Sequence, residues 1–330
     1  MDEADAHDYA ALDPDTILDA VESTGRRCDA RLLALNSYEN RVYQVGIEDE
    51  DPIVAKFYRP GRWSDEAIRE EHHFTRQLAD AELPAVAPLT DRNGETLFRF
   101  GGFRFALYPR VGGYWPELDS EEKYRRIGRL LGRLHALGST QPFAHRPTLT
   151  IADFAEASSR FLLEHGFIPP DLETAYRTLF DDLLIRIRRG FSAAGDYTPI
   201  RLHGDFHRGN ILWDDETVRL VDFDDCRMGP AVQDLWMLLE GERITMTQQL
   251  GWLLDGYRQF HLFDARQLHL IEPLRTLRMI HYSAWLARRW DDPAFPRHFP
   301  WFNTHRYWQD QILALREQAA LMDEPPLEPY

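Results

Sequence analysis

Residues 203–210 read HGDFHRGN, and the run that follows them, ILWDDETVRLVDFDD, ends at Asp225. Two histidines, one carboxylate, one arginine, one amide and two glycines crowd eight positions around a single large apolar residue. A core strand is not built this way. Asp205 and Asn210 stand five apart; apolar ILW follows, then a charged turn, then Leu220-Val221 leading into Asp222. This pattern predicts a loop and a hairpin that bring Asp205, Asn210 and Asp222 to one place. Asp205 would be free to take a proton, while the amide and the second carboxylate could hold a hard cation through oxygen. Phosphoryl transfer needs those parts, because its work is mostly positioning and charge neutralisation. A solvated loop would account for the polarity, but not for a matched Asp/Asn pair followed by an Asp at a strand end. A binuclear metal site is the chemical rival, since Asp205-Phe206-His207 is a D-x-H fragment. It would need several further His and Asp ligands, and the 13 histidines are scattered. His203 and His207 are therefore expected to order the loop by hydrogen bonding.

Working outward, the 330 residues are too many for one small core and favour two domains or one domain with two lobes. With 44% hydrophobic and 28% charged residues, the composition is that of a soluble globular protein. A net charge of -16 makes DNA, RNA and anionic membranes poor partners for the surface as a whole. An anionic ligand would need a local basic site set against that field. Cys28 and Cys226 make neither a disulfide framework nor a thiolate zinc site, and fit a reducing compartment. The N-terminal MDEADAHDYA is acidic and lacks the apolar core of a signal peptide, and no run approaches the ~20 apolar residues that span a bilayer. A cytoplasmic protein is expected.

Asp13-Pro14, DTILDAVEST and Gly25 predict a capped helix with Asp at the N-cap and Gly past the end. ARLLALNS, RVYQVGIE and PIVAKFYR then read as strands, with EDED as a solvated hairpin turn. SDEAIREEHHFTRQLAD predicts a helix capped by Ser64, with Asp65 and Glu66 in its first turn, where the helix dipole favours them. TLFRF, Gly101-Gly102 and FRFALYP read as another hairpin. From residue 119 onward helices dominate; KYRRIGRLLGRLHALG carries Ile127, Leu130, Leu131, Leu134 and Leu137 at helical spacing. The one β-like interruption is residues 200–225. A small mixed lobe over residues 1–108 and a larger, mainly helical lobe over 109–330 are expected, and clefts between lobes are where ligands bind.

The Asp-to-Asn spacing of HGDFHRGN matches the kinase catalytic loop H-R-D-x-x-x-x-N, with Gly204 where that motif has Arg. A kinase site also needs a strand lysine for the ATP phosphates and a helical glutamate to hold it. Lys56 in VAKF and Glu70-Glu71 fifteen residues later supply both. A strand lysine or a helix glutamate alone would mean little. The order of strand lysine, helix glutamate, Asp-x-x-x-x-Asn and a later Asp is the stronger signal.

At this point HGDFHRGNILW, VDFDDCRMGPAVQDLW and VAKF resemble the kinase-like phosphotransferases that include aminoglycoside and choline kinases. LNSYENRVYQV, VAKFYRPGRW, GPAVQDLWMLL and IEPLRTLRMIHYSAWLARRWDDPAFPRHFPW narrow the resemblance to bacterial cytoplasmic serine/threonine protein kinases of that family. It runs from about residue 12 to the C-terminal EPPLEPY. The resemblance implies an α+β, bilobal protein-kinase-like fold of the aminoglycoside phosphotransferase type. It implies a non-specific serine/threonine protein kinase of the stress response, with ATP as co-substrate and Mg2+ as metal. Position by position, Asp205 would be the catalytic base. Asn210 and Asp222 would hold magnesium, and Asp222 would also count as catalytic. Ser37 would touch ATP, Lys56 would pair with its phosphates, and Glu71, preferred to Glu70 for its distance to Leu78 and Leu83-Pro84, would fix that lysine. Asp234 would brace the catalytic loop, unless it is only a solvated helix-start carboxylate. The chain departs from protein kinases in lacking G-x-G-x-x-G-x-V, D-F-G and A-P-E, so an activation loop governed by phosphorylation is not expected. Asp224 and Asp225 could support the metal or close a turn.

The resemblance points to protein Ser/Thr as acceptor; from the net charge and the lack of a long apolar run no nucleic-acid or membrane partner is expected, and a monomer is expected. Chemistry alone equally permits a small alcohol such as an aminoglycoside, choline or homoserine. A nucleotide-binding pseudokinase is the third class, and the joint presence of Lys56, Asp205, Asn210 and Asp222 argues against it. Trp285, Arg288, Arg289, Trp290, Phe299 and Trp301 would either line the acceptor side or pack the lobe with their Arg heads reaching solvent.

Overall fold

The computed structural model describes residues 9, 11–214 and 217–329. The acidic N-terminal stretch through residue 8 and the centre of the charged turn at residues 215–216 lie outside the described residues. In chain order come helix α1 (Pro14–Glu22), strands β1 (Cys28–Ala34), β2 (Arg41–Ile47) and β3 (Ile53–Phe57), helix α2 (Asp65–Asp80), strands β4 (Phe98–Phe100) and β5 (Phe103–Pro109), and helix α3 (Glu121–Gly138). Helices α4 (Ala157–Glu164) and α5 (Pro170–Ala194) precede strand β6 (Ile200–Leu202), the hairpin of β7 (Ile211–Asp214) and β8 (Thr217–Leu220), and strand β9 (Arg227–Gly229). Helices α6 (Gln233–Trp236), α7 (Arg243–Tyr257), α8 (Ile271–Ala287), α9 (Ala294–His298) and α10 (His305–Leu321) complete the chain. The described residues fall into two compact units. One runs to residue 117 and takes in 143–146 and 207–226; the other comprises 118–142, 147–206 and 227 onward.

The first unit is built on an antiparallel sheet of order β1-β2-β3-β5-β4. Asp13 starts α1 by accepting the Thr16 N–H at 2.8 Å, and Ser64 starts α2 by accepting the Ala67 N–H at 3.2 Å. β1 begins two residues before the apolar run that predicts it, because an irregularity between Cys28 and Leu32 lets pairing with β2 resume at Cys28↔Ile47. Alternation along β3 sends Ile53, Ala55 and Phe57 to one face, where Ile17, Ala20 and Val21 of α1 cover them. Lys56 therefore points to the other face, beside its register partner Ala106. α2 packs there through Ile68, against Tyr58 and Ala106. The β7–β8 hairpin is stitched to the same unit: Trp213 and Tyr114 exchange N–H···O bonds at 2.9 and 2.8 Å, and the Leu220 carbonyl accepts the Val86 N–H at 2.9 Å.

In the second unit α3 packs on α7. Ile127, Leu131 and Leu134 are buried as their spacing predicts, while Leu130 and Leu137 are half-buried flanks. Gly128 and Gly256 allow the close approach, since a Cβ at either would collide with the backbone carbonyl of Leu253 or Arg125. β6 and β9 pair as a short antiparallel ladder. Among the described residues no helix is long and apolar enough to cross a membrane.

Candidate functional site

The first unit gathers charge around Lys56. Its side chain is 9% exposed, and its Nζ lies 3.1 Å from Asp224 Oδ1, 3.3 Å from Glu71 Oε1 and 3.4 Å from Asp222 Oδ1. Burial alone would lower the lysine's pKa. The carboxylates of Asp224, Glu71 and Asp222 outweigh burial and hold the ammonium charged, well above its ordinary value. Glu71 reaches Lys56 because it sits on the buried face of α2 with Ala67, Ile68 and Phe74. Burial pushes the Glu71 carboxyl upward, against the pull of Lys56 and of Arg146, whose Nη2 lies 2.7 Å away. Glu70 takes a different job. Its carboxylate accepts the N–H groups of Ala144, His145 and Arg146 at 2.6, 2.7 and 2.9 Å, tying the 143–146 segment to α2.

Behind the lysine, the His72 ring meets the Tyr58 hydroxyl at 2.7 Å and the Thr96 hydroxyl at 2.8 Å. Burial, and then the positive charges of Lys56 and Arg146, depress His72 to about 3, so the ring is neutral at physiological pH.

Asp222 ends the hairpin in a left-handed backbone conformation, φ 58°, which a non-glycine residue adopts at a cost of order 1 kcal/mol or more. Its side chain is 56% exposed, unlike that of Asp224, which is buried. Burial would raise Asp224, but Arg62 and then Lys56 hold its carboxyl down at about 2. Arg62 also binds Asp225, at 2.9 Å. These two acids are thus engaged by basic side chains of their own unit. The hairpin sets Asn210 opposite Val221, the residue before Asp222: Ile211 pairs with Leu220, and the Asn210 carbonyl accepts the Val221 N–H at 3.0 Å. The amide and carboxylate oxygens they offer are hard donors of the kind magnesium takes. Ser37 lies on the β1–β2 loop, where its hydroxyl donates to the Asn40 carbonyl at 3.0 Å; Asn40 Oδ1 in turn accepts the Arg59 N–H at 3.1 Å, fastening the loop near the end of β3. His207 Nδ1 accepts the Gly209 N–H at 2.9 Å, an ordering bond within the HRGN loop. Among the described residues no group of three or more His, Cys, Asp and Glu side chains is arranged to hold a metal ion.

Asp205 belongs to the second unit, where the loop from His203 is held from α6. Asp234, fully buried, accepts the His203 N–H at 2.8 Å on one oxygen and the Gly204 N–H at 2.9 Å on the other. The Gln233 amide donates to the Gly204 carbonyl at 3.2 Å. His135 of α3 sits 3.0 Å from Asp234 and 3.0 Å from the Tyr257 hydroxyl of α7, so one buried network joins the loop to two helices. Gly204 has φ 86°, a conformation that disfavours any Cβ. An arginine at this position would therefore be strained. Asp205 Oδ1 is itself met by Arg278 Nη1 of α8, at 2.5 Å.

Several of these residues carry no motif signal. Arg146 is fully buried and donates from Nε to the Ala67 carbonyl at 2.8 Å, from Nη1 to the Asp224 carbonyl at 2.6 Å and from Nη2 to Glu71. It stands alone in a loop without periodicity, so sequence reasoning passes over it, as it does over Arg62 and Arg278. The aromatic-basic cluster packs largely on itself. Trp285 meets Phe295 and Phe299 with centroids 5.2 and 5.9 Å apart, Trp290 meets Phe302 at 5.0 Å, and Arg289 lies over Trp285 at 5.1 Å. Trp301 remains 45% exposed.

The model of the phosphotransferase enzyme (APH) family matches residues 31–271. Stress response kinase A of Escherichia coli K12 is 45% identical over 98% of this chain and 97% of its own length. The serine/threonine protein kinase RdoA of Salmonella typhimurium is 43% identical over the same shares. Among solved structures, the amicoumacin kinase hAmiN in complex with AMP-PNP, Ca2+ and Ami superposes with a TM-score of 0.70 at 18% identity, covering 92% of this chain and 91% of that one. The fold is thus the bilobal, protein-kinase-like α+β type with a sheet and a larger helical part. With a family match over most of its length and near full-length relatives above 40% identity, the chain belongs to the phosphotransferase enzyme family.

Proposed function

We propose that this phosphotransferase moves the γ-phosphoryl group of ATP to a serine or threonine hydroxyl of a protein, in a bacterial stress response. The observation that carries the ATP reading is the buried Lys56 ammonium, held charged by Glu71, Asp222 and Asp224 in a chain whose net charge is -16. A fixed positive charge in a low-dielectric setting suits the nucleotide's phosphates. Magnesium fits the oxygen donors of Asn210 and Asp222, and when bound it supplies positive charge that offsets the phosphate oxygens during transfer. Ser37 contacts the nucleotide from the β1–β2 loop, Glu71 and Arg146 keep Lys56 in position, and Asp205 takes or orients the acceptor hydroxyl proton. The acceptor oxygen then bonds to the γ-phosphorus as the β–γ bridging bond breaks, and ADP leaves.

The protein acceptor rests on the names of the relatives at 43–45% identity. A small-alcohol acceptor is the second reading, favoured by the structural likeness to a kinase of amicoumacin. The test gives purified protein labelled ATP and magnesium with protein acceptors, aminoglycosides and choline in parallel. Label on protein Ser/Thr supports the proposal, label on a small alcohol alone supports the second reading, and nucleotide binding without transfer overturns both. Asp205→Asn is expected to lower turnover by about 10²–10⁴-fold, the usual range for a lost general base, while thermal unfolding still shows a folded protein. Wild-type turnover in that variant refutes the role given to Asp205.

A further inference from the structure

We infer that Arg278 sets the charge class of the acceptor: it selects a hydroxyl carried next to carboxylates, as on an acidic peptide segment, and rejects cationic acceptors. The inference rests on the reading of Asp205 as the acceptor-side base. Arg278 Nη1 lies 2.5 Å from Asp205 Oδ1, and the two side chains are 42% and 22% exposed, so both remain open to an incoming molecule. The backbones that carry the two partners are fixed. The backbone before Asp205 is clamped by Asp234 and Gln233, and Arg278 rises from a stretch of α8 whose Leu274 and Leu277 are each 1% exposed.

The face of α8 that Arg278 opens continues at helical spacing through Tyr282 and Trp285 to Arg289, just past the helix end. Tyr282, 39% exposed, stacks on Trp285 with centroids 5.7 Å apart, and the Arg289 guanidinium covers Trp285 at 5.1 Å. The one acid on α8, Glu272, is engaged by Arg275 at 3.4 Å and by the Gln318 amide at 2.6 Å. Beside Asp205 this face therefore presents the Arg278 guanidinium, and further along α8 the half-exposed Tyr282 ring and the Arg289 guanidinium, with no free acid of α8 among them, in a protein that is acidic as a whole. Polycation recognition needs the opposite, several carboxylates around the reacting one. A carboxylate on the acceptor can take over Arg278 and release Asp205 to the hydroxyl. An ammonium there meets a guanidinium in place of a partner.

The test measures kcat/KM for two serine peptides that differ only in flanking Glu/Asp or Lys/Arg residues, with kanamycin as a polycationic small alcohol. The wild type is expected to prefer the acidic peptide by about tenfold or more and to transfer least to kanamycin. Arg278→Glu reverses the peptide ratio, Arg278→Gln brings it toward one, and Arg278→Lys keeps most of the preference. The readout is a ratio, so a loss of turnover common to both peptides cancels. A ratio unmoved by Arg278→Glu, or a wild type that prefers the basic peptide or kanamycin, overturns the assignment. If Arg278→Glu does not fold, a wild-type ratio in Arg278→Gln overturns it equally. Wild-type transfer to all acceptors by Asp205→Asn, or no transfer by the wild type, instead brings down the underlying reading, and this inference with it.

Discussion

Replacing Arg146 with methionine keeps most of its volume and removes its charge and its three donors. The guanidinium is fully buried and serves the Ala67 carbonyl, the Asp224 carbonyl and the Glu71 carboxylate at 2.8, 2.6 and 2.7 Å. The Asp224 carbonyl loses this donor at a cost of roughly 1–3 kcal/mol, whereas the Ala67 carbonyl keeps its place in the α2 ladder. Removing one partner from a buried ion pair costs about 3–5 kcal/mol, because the remaining charge stays uncompensated. The two costs overlap, since Glu71 keeps Lys56 at 3.3 Å and can take up a proton. Arg146→Met is therefore expected to lose about 3–5 kcal/mol in all. Urea titration followed by tryptophan fluorescence reads it directly, because Arg146 lies 4.4 Å over the Trp63 ring. Adding Glu71→Gln removes the stranded charge, so the double variant should recover part of the loss, with a coupling of about 1–3 kcal/mol. A loss below about 1 kcal/mol, or strict additivity in the double variant, would show that Arg146 is not the counter-charge of Glu71 and would falsify the electrostatic account of the Lys56 cluster.

Two further outcomes follow from the same geometry. Asp234→Ala strands the buried N–H groups of His203 and Gly204 and is expected to cost about 2–4 kcal/mol by urea titration; a cost near zero would mean that the loop is held by something else. His72 is held at about 3 in the folded protein against 6.5 in its ordinary state, so the unfolded chain binds the extra proton between those values. Its contribution to stability is complete above about pH 6.5 and is lost progressively as pH falls toward about 3. His72→Gln should flatten the change in urea midpoint between pH 7 and pH 5, and an unchanged slope in that variant would assign the acid sensitivity to other groups.

Much of this was legible before any coordinates. α1 and α2 begin where Asp13 and Ser64 place them, because a capping oxygen is a local device that needs nothing distant. Lys56 could be placed on a strand from the period of its neighbours, and Glu71, seven residues before Leu78, lies on the same helix face. The choice of Glu71 over Glu70 as the residue facing Lys56 follows from that periodicity. What Glu70 does instead was invisible, because its three partners are backbone amides of a segment 74 to 76 residues away.

By itself, the sequence determined most of the elements and the family, and it nominates the groups proposed above for phosphoryl transfer, since caps, alternation and motif spacing are all short-range. The tertiary structure alone decided which charges meet. It seats the hairpin of residues 211–220 in the same unit as the sheet, turns Asp224 and Asp225 toward Arg62, buries Arg146 between Glu71 and the Asp224 backbone, and lays Arg278 against Asp205. The physical reason is that an ion pair depends on distance and burial in space. Arginines separated from their partners by more than seventy residues leave no periodic or spacing signal along the chain.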